Sequence, residues 1–561
     1  MKLSHIHIEN FRNLKDLEVD FAGVTVLIGE NNVGKTSVLD AIRMALRDVR
    51  SRKGCVFDPY DFHLPTADAE PSAAPPIRIR LTFKEDNEGE WGNERLGRLS
   101  RMKILQVDAS GCGVVILDVT GRFDPTIKDF TQDWHFLNLD GQALTNAPDT
   151  ALVALQNEVP YFYLAALRDA TRHFDAKGAF WRPFLKESQL TPERKAEIEG
   201  RLAEVNALIV DSHESFSRVT CCLQDVNKVV PLATSDVVSI DAVPARLFDM
   251  LAKAQVSLSA ATGAKVPVGR HGEGTQSLAV LMLFNAFLQT WPQGSPIIAF
   301  EEPEAHLHPS AIRALWHLIE GISGQKIIST HSGDLLAEVP PEAVTRLHCR
   351  AGTITASRMQ DVELEDRRQR QFNFHIRQAR GELLFARCWI LGEGESEVTL
   401  LPALARCIGR DLEQCGIRCV GYRQSDIELY LKVAEALGIK WVALCDNDHQ
   451  GIKDQAKVRE YLNGRNESEV LHVMPESDIE QHLCSSGFGA IYESLLTDQT
   501  KAQVTTAATD PLYWKQVTKA VHRQKIAAVS LILEEVLSGR AGVPPLFERT
   551  INEAIKLTEG L

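Results

Sequence analysis

The chain has 561 residues, 44% of them hydrophobic and 24% charged, with a formal net charge of −14. That length exceeds what one hydrophobic core serves, so about two to four domains are expected. The acidity argues against a broadly basic protein that coats DNA, and the lack of any apolar run of ~18 residues excludes a membrane-spanning helix. Eleven cysteines without zinc spacing, and an opening segment without the apolar stretch of a signal peptide, predict a reducing, cytoplasmic setting.

In chain order, KLSHIHIEN and LKDLEVDF alternate as two strands around an FRN turn, and VTVLIG is a third strand that runs into GENNVGKT. SVLDAIRMALRDV follows with apolar residues at helical spacing. Strand, G-x-x-x-x-G-K-[ST] loop and helix are the setting of a P-loop. Backbone N–H groups along Gly29, Asn31, Asn32, Gly34 and Ser37 are expected to wrap the phosphates of ATP. Lys35 would reach the β- and γ-phosphates, and the Thr36 hydroxyl would ligate Mg²⁺.

A Pro/Ala-rich loop over residues 64–76 is followed by strands at IRIRLTF and GVVILDV. From Tyr161 the pattern turns helical and charged; an arm or dimerisation element and a solvated helical hairpin both suit it. HGEGTQSL is a glycine-rich turn feeding a helix, a second phosphate-cradling arrangement. IIAFEEPE is an apolar strand ending in acids: Glu301 would hold Mg²⁺ and Glu302 would polarise the attacking water. Taken alone, those acids could equally favour a following helix dipole. The strand QKIIST then leads to His331. Residues 358–382, rich in charge and glutamine, read as a linker whose Arg367, Arg368 and Arg370 either touch a DNA backbone or stay solvated.

Beyond it, RCWIL begins a new alternation of strands and helices, which predicts a parallel sheet covered on both faces. WILGEGESE places Glu393 just past a strand and Glu397 one helical turn later. WVALCDNDHQG places Asp446 and Asp448 at another strand end. Strand C-termini of a parallel sheet share an edge, so these carboxylates can converge. Like charges that close require protons or cations, and oxygen donors select hard ions, Mg²⁺ or Mn²⁺. Two such ions about 4 Å apart would stabilise the attacking and leaving oxygens of a phosphodiester. Asp478 and Glu480, in MPESDIEQHL, either join this cage or cap the next helix.

The order of P-loop, insertion, HGEGTQSL, EEPE and His331 resembles the ABC ATPases of the RecF and SMC type, as does the opening IHIENFRNLKDLEVDF. The resemblance implies that Gly272, Gly274, Gln276 and Ser277 present a signature motif to a γ-phosphate held by a second copy, and that His331 is a switch histidine. It therefore implies a homodimer or higher homo-oligomer. Glu301 departs from the pattern, since most ABC proteins have Asp there. The Glu-Gly and D-x-D pattern resembles the Toprim domain. The whole combination resembles the OLD (overcoming lysogenization defect) family of ATP-dependent endonucleases, including Gabija-type members.

That family implies an α/β fold: an ABC-type ATPase domain with a helical dimerisation insertion, then a Toprim domain with a parallel sheet. The expected boundaries are 1–160 and 236–357 for the ATPase, 161–235 for the insertion, 358–382 for the linker and 383–561 for the Toprim unit. The resemblance further implies ATP, Mg²⁺ or Mn²⁺ at both sites, cleavage of DNA, a role in antiviral defence, no membrane, and for some members a helicase encoded alongside. By the same resemblance Lys525 would neutralise charge on the reacting phosphate, with Glu393 and Asp446 at the centre of the chemistry; a surface lysine is the alternative. A clamp-like ATPase without nuclease activity and a topoisomerase-like enzyme are the rival readings. The first leaves the second carboxylate set unexplained, and the second needs a nucleophilic tyrosine from only eight in the chain.

Overall fold

In the computed structural model, residues 1–49, 54–66, 68–165, 191–212, 257–259, 265–290, 295–350, 352–362, 365–378, 381–423, 425–510 and 512–559 are described. One compact unit gathers residues 1–163, 293–299 and 324–561; the other gathers 164–292 and 300–323. Most of the expected insertion, residues 166–190 and 213–235, lies outside the described residues. Its described parts are the helix Pro192–Ser212 and, against the helical pattern expected from Tyr161, the strand Tyr161–Ala165. That strand is hydrogen-bonded into the second sheet described below, so the sheet runs past the expected boundary at 160.

The larger unit begins with an antiparallel sheet. Leu3–Phe11 lies between Leu14–Asp20 and Ile77–Lys84, and Gly113–Asp124 continues the sheet beyond. Alternation in the sequence explains it: Leu3, Ile6 and Ile8 face inward at 0% exposure, while the intervening histidines pair with Asp16 and Asp20 outside. A second sheet has the strand order Thr353–Arg358, Val344–Arg350, Val24–Ile28, Gln325–Ser329, Ile297–Glu301, Tyr161–Ala165. Val24–Ile28 is parallel to both Gln325–Ser329 and Val344–Arg350, so the strand that feeds the P-loop is central and buried.

The same unit holds a four-stranded, all-parallel sheet ordered Ile417–Gly421, Cys388–Gly392, Lys440–Cys445, Leu471–Val473. Its two central strands, CWILG and KWVALC, are almost continuously apolar because helices cover both faces. Ile390, Leu391, Val442 and Leu444 are at most 1% exposed. Each contributes about 1.5–3 kcal/mol of transfer free energy. Parallel strands end on one side, so Gly392 and Cys445 deliver Glu393 and Asp446 to the same edge.

The stretch expected as a linker is, from Asp366 to Gln378, a helix. Phe372 and Ile376, one helical turn apart, are buried, and the Phe372 ring meets Tyr430 edge-on at 6.5 Å. Arg368, expected either to touch DNA or to stay solvated, is ion-paired within the fold: its Nη2 lies 3.3 Å from Asp426 and 3.0 Å from Glu428. Among the described residues no helix is long and apolar enough to cross a membrane.

Candidate active site

The P-loop joins its central strand to the helix Lys35–Arg43. Gly34 caps that helix at φ 94°, a left-handed value glycine adopts cheaply, and a Cβ there would lie 2.5 Å from Leu14 Cδ2. Lys35 Nζ donates to the carbonyls of Gly29 (2.9 Å) and Glu30 (2.7 Å), which bends the lysine back over the loop. Thr36, Asn31 and Asn32 are exposed, whereas Ser37 is buried and its hydroxyl donates to Asn13 Oδ1 at 3.2 Å. His331 is exposed just past the strand Gln325–Ser329, and Ser332 caps the short helix after it.

The second unit carries the other ATP-motif residues. Glu301 ends its strand and Glu302 is exposed, with a positive φ of 44°. The turn that follows packs onto the signature helix Glu273–Thr290: His306 Nδ1 lies 3.2 Å from Glu273 Oε2, and a Cβ on Gly274 would lie 3.3 Å from the His306 carbonyl. Gln276 turns its amide back to the His271 carbonyl (2.6 Å), Gly272 is exposed and Ser277 is buried.

All seven acidic and basic residues singled out in the C-terminal part line one cavity of about 870 Å³: Glu393, Glu397, Asp446, Asp448, Asp478, Glu480 and Lys525. Glu397 is 3% exposed, Asp446 7% and Glu480 5%, so their charges are largely cut off from water. Burial, then the neighbouring Glu480 and Glu393, pushes Glu397 up to about 7. Burial, then Glu397 and Glu393, raises Asp446 far above the ordinary carboxylate range. Glu393 is raised too, chiefly by burial. The Glu393 and Asp446 carboxyls lie close enough to share one hydrogen bond, and Glu393 Oε2 and Asp446 Oδ1 are buried without a donor.

The remaining acids already have protein donors. Glu397 Oε2 accepts from the Gly394 N–H (3.1 Å), the return half of a capping box. Asp448 Oδ1 caps the helix His449–Glu460, accepting from Gln450 N (2.9 Å) and Gly451 N (2.8 Å). Gly451 must be glycine for this, because a Cβ would fall 2.1 Å from the Asp446 carbonyl oxygen. Asp478 caps the helix Ile479–Leu483, with both oxygens held by Gln481. Glu480 pairs with Lys525 Nζ at 2.8 Å and accepts from Ser396 Oγ at 3.3 Å. Among the described residues no three of these side chains yet close on one ion-sized point. Two buried carboxylate oxygens without a donor, on residues lining one polar cavity, nonetheless fit a hard cation. Ser396, Arg423, His522 and Arg523 also line the cavity and belong to no recognisable motif.

The P-loop and this sheet meet within the larger unit. Glu30, inside the P-loop, forms a bidentate pair with Arg387, whose Nε lies 2.7 Å from Glu30 Oε1 at the start of the strand leading to Glu393. Arg346, which pairs with Ile28 in the sheet register, is 3% exposed. Its guanidinium donates to the carbonyls of Leu384 (3.2 Å), Leu437 (2.8 Å) and Ala386 (2.9 Å).

A P-loop head continued by a four-stranded parallel sheet with acids along its edge defines an ABC-type ATPase joined to a Toprim unit. Comparison with known proteins agrees. The chain belongs to the family described as protein of unknown function (DUF2813), whose model matches residues 1–382. Residues 384–448 match the model of the overcoming lysogenization defect protein-like TOPRIM domain. The chain is 27% identical to the uncharacterized protein YbjD of Escherichia coli K12 over the full length of both. It is 24% identical to the endonuclease GajA of Bacillus cereus, covering 82% of this chain and 78% of that one. It is 26% identical to the OLD nuclease of Thermus scotoductus, covering 81% and 83%. The Toprim match and the two nuclease-named relatives support an OLD-family assignment.

Proposed function

We propose that this protein is an ATP-dependent endonuclease that hydrolyses DNA phosphodiesters at the Toprim cavity with Mg²⁺ or Mn²⁺. The observation that carries it is the Glu393–Asp446 pair: two buried acid oxygens with no donor, at the shared edge of a parallel sheet. Burial of such a pair in its ionised form is costly unless a proton or a cation sits between them. Glu393, Asp446 and Asp448 would hold one ion, and Glu397, Asp478 and Glu480 would hold or support a second. Divalent ions there would supply Lewis-acid stabilisation of the attacking and leaving oxygens.

The chain's own groups do the rest. Glu480 holds Lys525 at the cavity wall, where its ammonium can neutralise charge growing on the reacting phosphate. Glu397, raised to about 7, can carry a proton at neutral pH. Asp448 fixes the start of its helix through one oxygen, and its side chain belongs to the cavity lining. At the head, Gly29, Asn31, Asn32, Gly34, Lys35, Thr36 and Ser37 would bind ATP, Glu301 would hold its Mg²⁺, Glu302 would polarise water and His331 would sense the γ-phosphate. Gly272, Gly274, Gln276 and Ser277 would complete the site of a second copy, so the working form is at least a homodimer. Anti-phage defence, with a helicase encoded alongside, is the proposed setting; it follows from the resemblance to the OLD family and from no residue of this chain.

A topoisomerase reading is disfavoured by the cavity itself. Among the described residues its one lining tyrosine is Tyr430, which is fully buried and whose hydroxyl burial pushes up to about 12. The deciding experiment incubates supercoiled plasmid with Mg²⁺ or Mn²⁺, wild type beside Asp446→Ala, with and without ATP. Nicked or linear DNA from wild type alone supports the proposal. Relaxed circles, protein-linked ends, or no cutting in any condition would sink it.

A further inference from the structure

Seven carboxylates line the cavity against three Lys or Arg side chains, in a chain whose net charge is −14. Even two divalent ions leave that wall poor in positive charge for a polyanion, and Lys525 is already committed to Glu480 at 2.8 Å. The other two lining cations, Arg423 and Arg523, are exposed and form no ion pair among the described residues. They arrive from separate elements. Arg423 stands on the turn after the edge strand Ile417–Gly421, and its backbone N–H donates to the Glu393 carbonyl at 2.8 Å, which fixes the arginine beside the central acid. Arg523 lies in the one-turn helix His522–Gln524, whose next residue is Lys525.

We infer that Arg423 and Arg523 are positioning residues that grip backbone phosphates flanking the scissile one, so that the substrate is a polynucleotide strand held by its backbone and not by its bases. The inference rests on the nuclease reading above. A guanidinium fork matches two phosphate oxygens at once, and its charge cannot be titrated away among the acids. An arginine that merely decorated the surface would not need to be anchored beside Glu393 or adjoin the lysine of the cavity wall. Contacts of this kind carry no base information, so cutting should be insensitive to sequence at these contacts.

The test measures binding of a short DNA duplex by the full-length protein in Ca²⁺ across a salt series, for wild type, Arg423→Ala, Arg523→Ala, the two Lys replacements and the surface control Arg410→Ala. Each cavity alanine should weaken binding about tenfold near 0.1 M salt and flatten the log–log salt slope by about 0.9. The Lys variants should keep the slope and lose geometry, raising KM for plasmid cleavage while leaving kcat within about twofold. Hydrolysis of bis(p-nitrophenyl) phosphate with Mn²⁺, a diester without flanking phosphates, should fall by a smaller factor than plasmid cleavage in both alanine variants. Wild-type slopes in Arg423→Ala and Arg523→Ala, with wild-type cleavage intact, would overturn this inference and leave the nuclease standing. A wild type that neither binds nor cuts DNA would overturn both.

Discussion

The P-loop and the Toprim cavity both serve phosphate chemistry, and they are built from opposite materials. The P-loop offers partial positive charge from backbone N–H groups and one lysine, set by left-handed turns at Gly29 and Gly34. The cavity offers negative charge from side chains and reaches an anion only through cations. The phosphate loop is therefore formed as soon as eight consecutive residues adopt their turns, whereas the acids of the cavity are gathered from beyond three strand ends of one sheet, with Lys525 coming from a later helix. One is a matter of backbone conformation and the other of electrostatics.

Perturbations should separate the two sites, and the largest effect belongs to the cavity. Asp446→Asn removes a central charge, so cleavage should fall by ~10³-fold or more while ATP affinity stays at the wild-type value; plasmid nicking and nucleotide titration together check this. Next comes the tie between the sites. Arg346→Ala leaves three buried carbonyls without a donor and should cost about 3 kcal/mol in denaturant unfolding. Lys35→Ala is smaller: ATP binding should weaken about 10–100-fold, read by fluorescent nucleotide titration, with cation binding at the cavity unchanged.

Titration should sharpen the contrast further. Glu397 has its folded pKa raised from 4.5 to about 7, so the folded state holds the extra proton and metal-free protein loses stability as pH climbs through that window. Added Mg²⁺ should restore the melting temperature above the window and do little below it, and Glu397→Gln should flatten the profile. The smallest effect is expected at the Glu30–Arg387 pair. Both side chains are over a third exposed, so Arg387→Ala should change stability by about 1 kcal/mol or less. Its signature is functional: the ATP response of cleavage should shrink while ATP binding persists. An unchanged ATP response would show that the P-loop does not speak to the cavity through this contact.

That difference in materials also decided what could be read from the sequence. GENNVGKT is contiguous, and its turn chemistry is local, so the loop was visible outright. Glu393 and the Asp446–Asp448 pair were visible because each ends an apolar strand and parallel strands end together. Arg423 and Arg523 were not: exposed arginines on turns have no periodicity or spacing that marks them. The helix Asp366–Gln378 was hidden by its own composition, since charge density dominated and the two buried residues, Phe372 and Ile376, form only a one-turn signal. Glu30 fills a variable position of the loop motif, and only folding brings it to Arg387.

Arg346 sits before the border between the two matched families, at 382 and 384, yet all three of its carbonyl partners lie beyond it. The border in sequence is thus not a seam in the chemistry. Anyone exchanging Toprim units between relatives should move the hairpin Val344–Arg358 with them, because a joint made at 383 would pair one protein's buried guanidinium with another's carbonyls. Modularity in this chain begins some forty residues earlier than its family boundaries suggest, on the order of one strand hairpin and one helix.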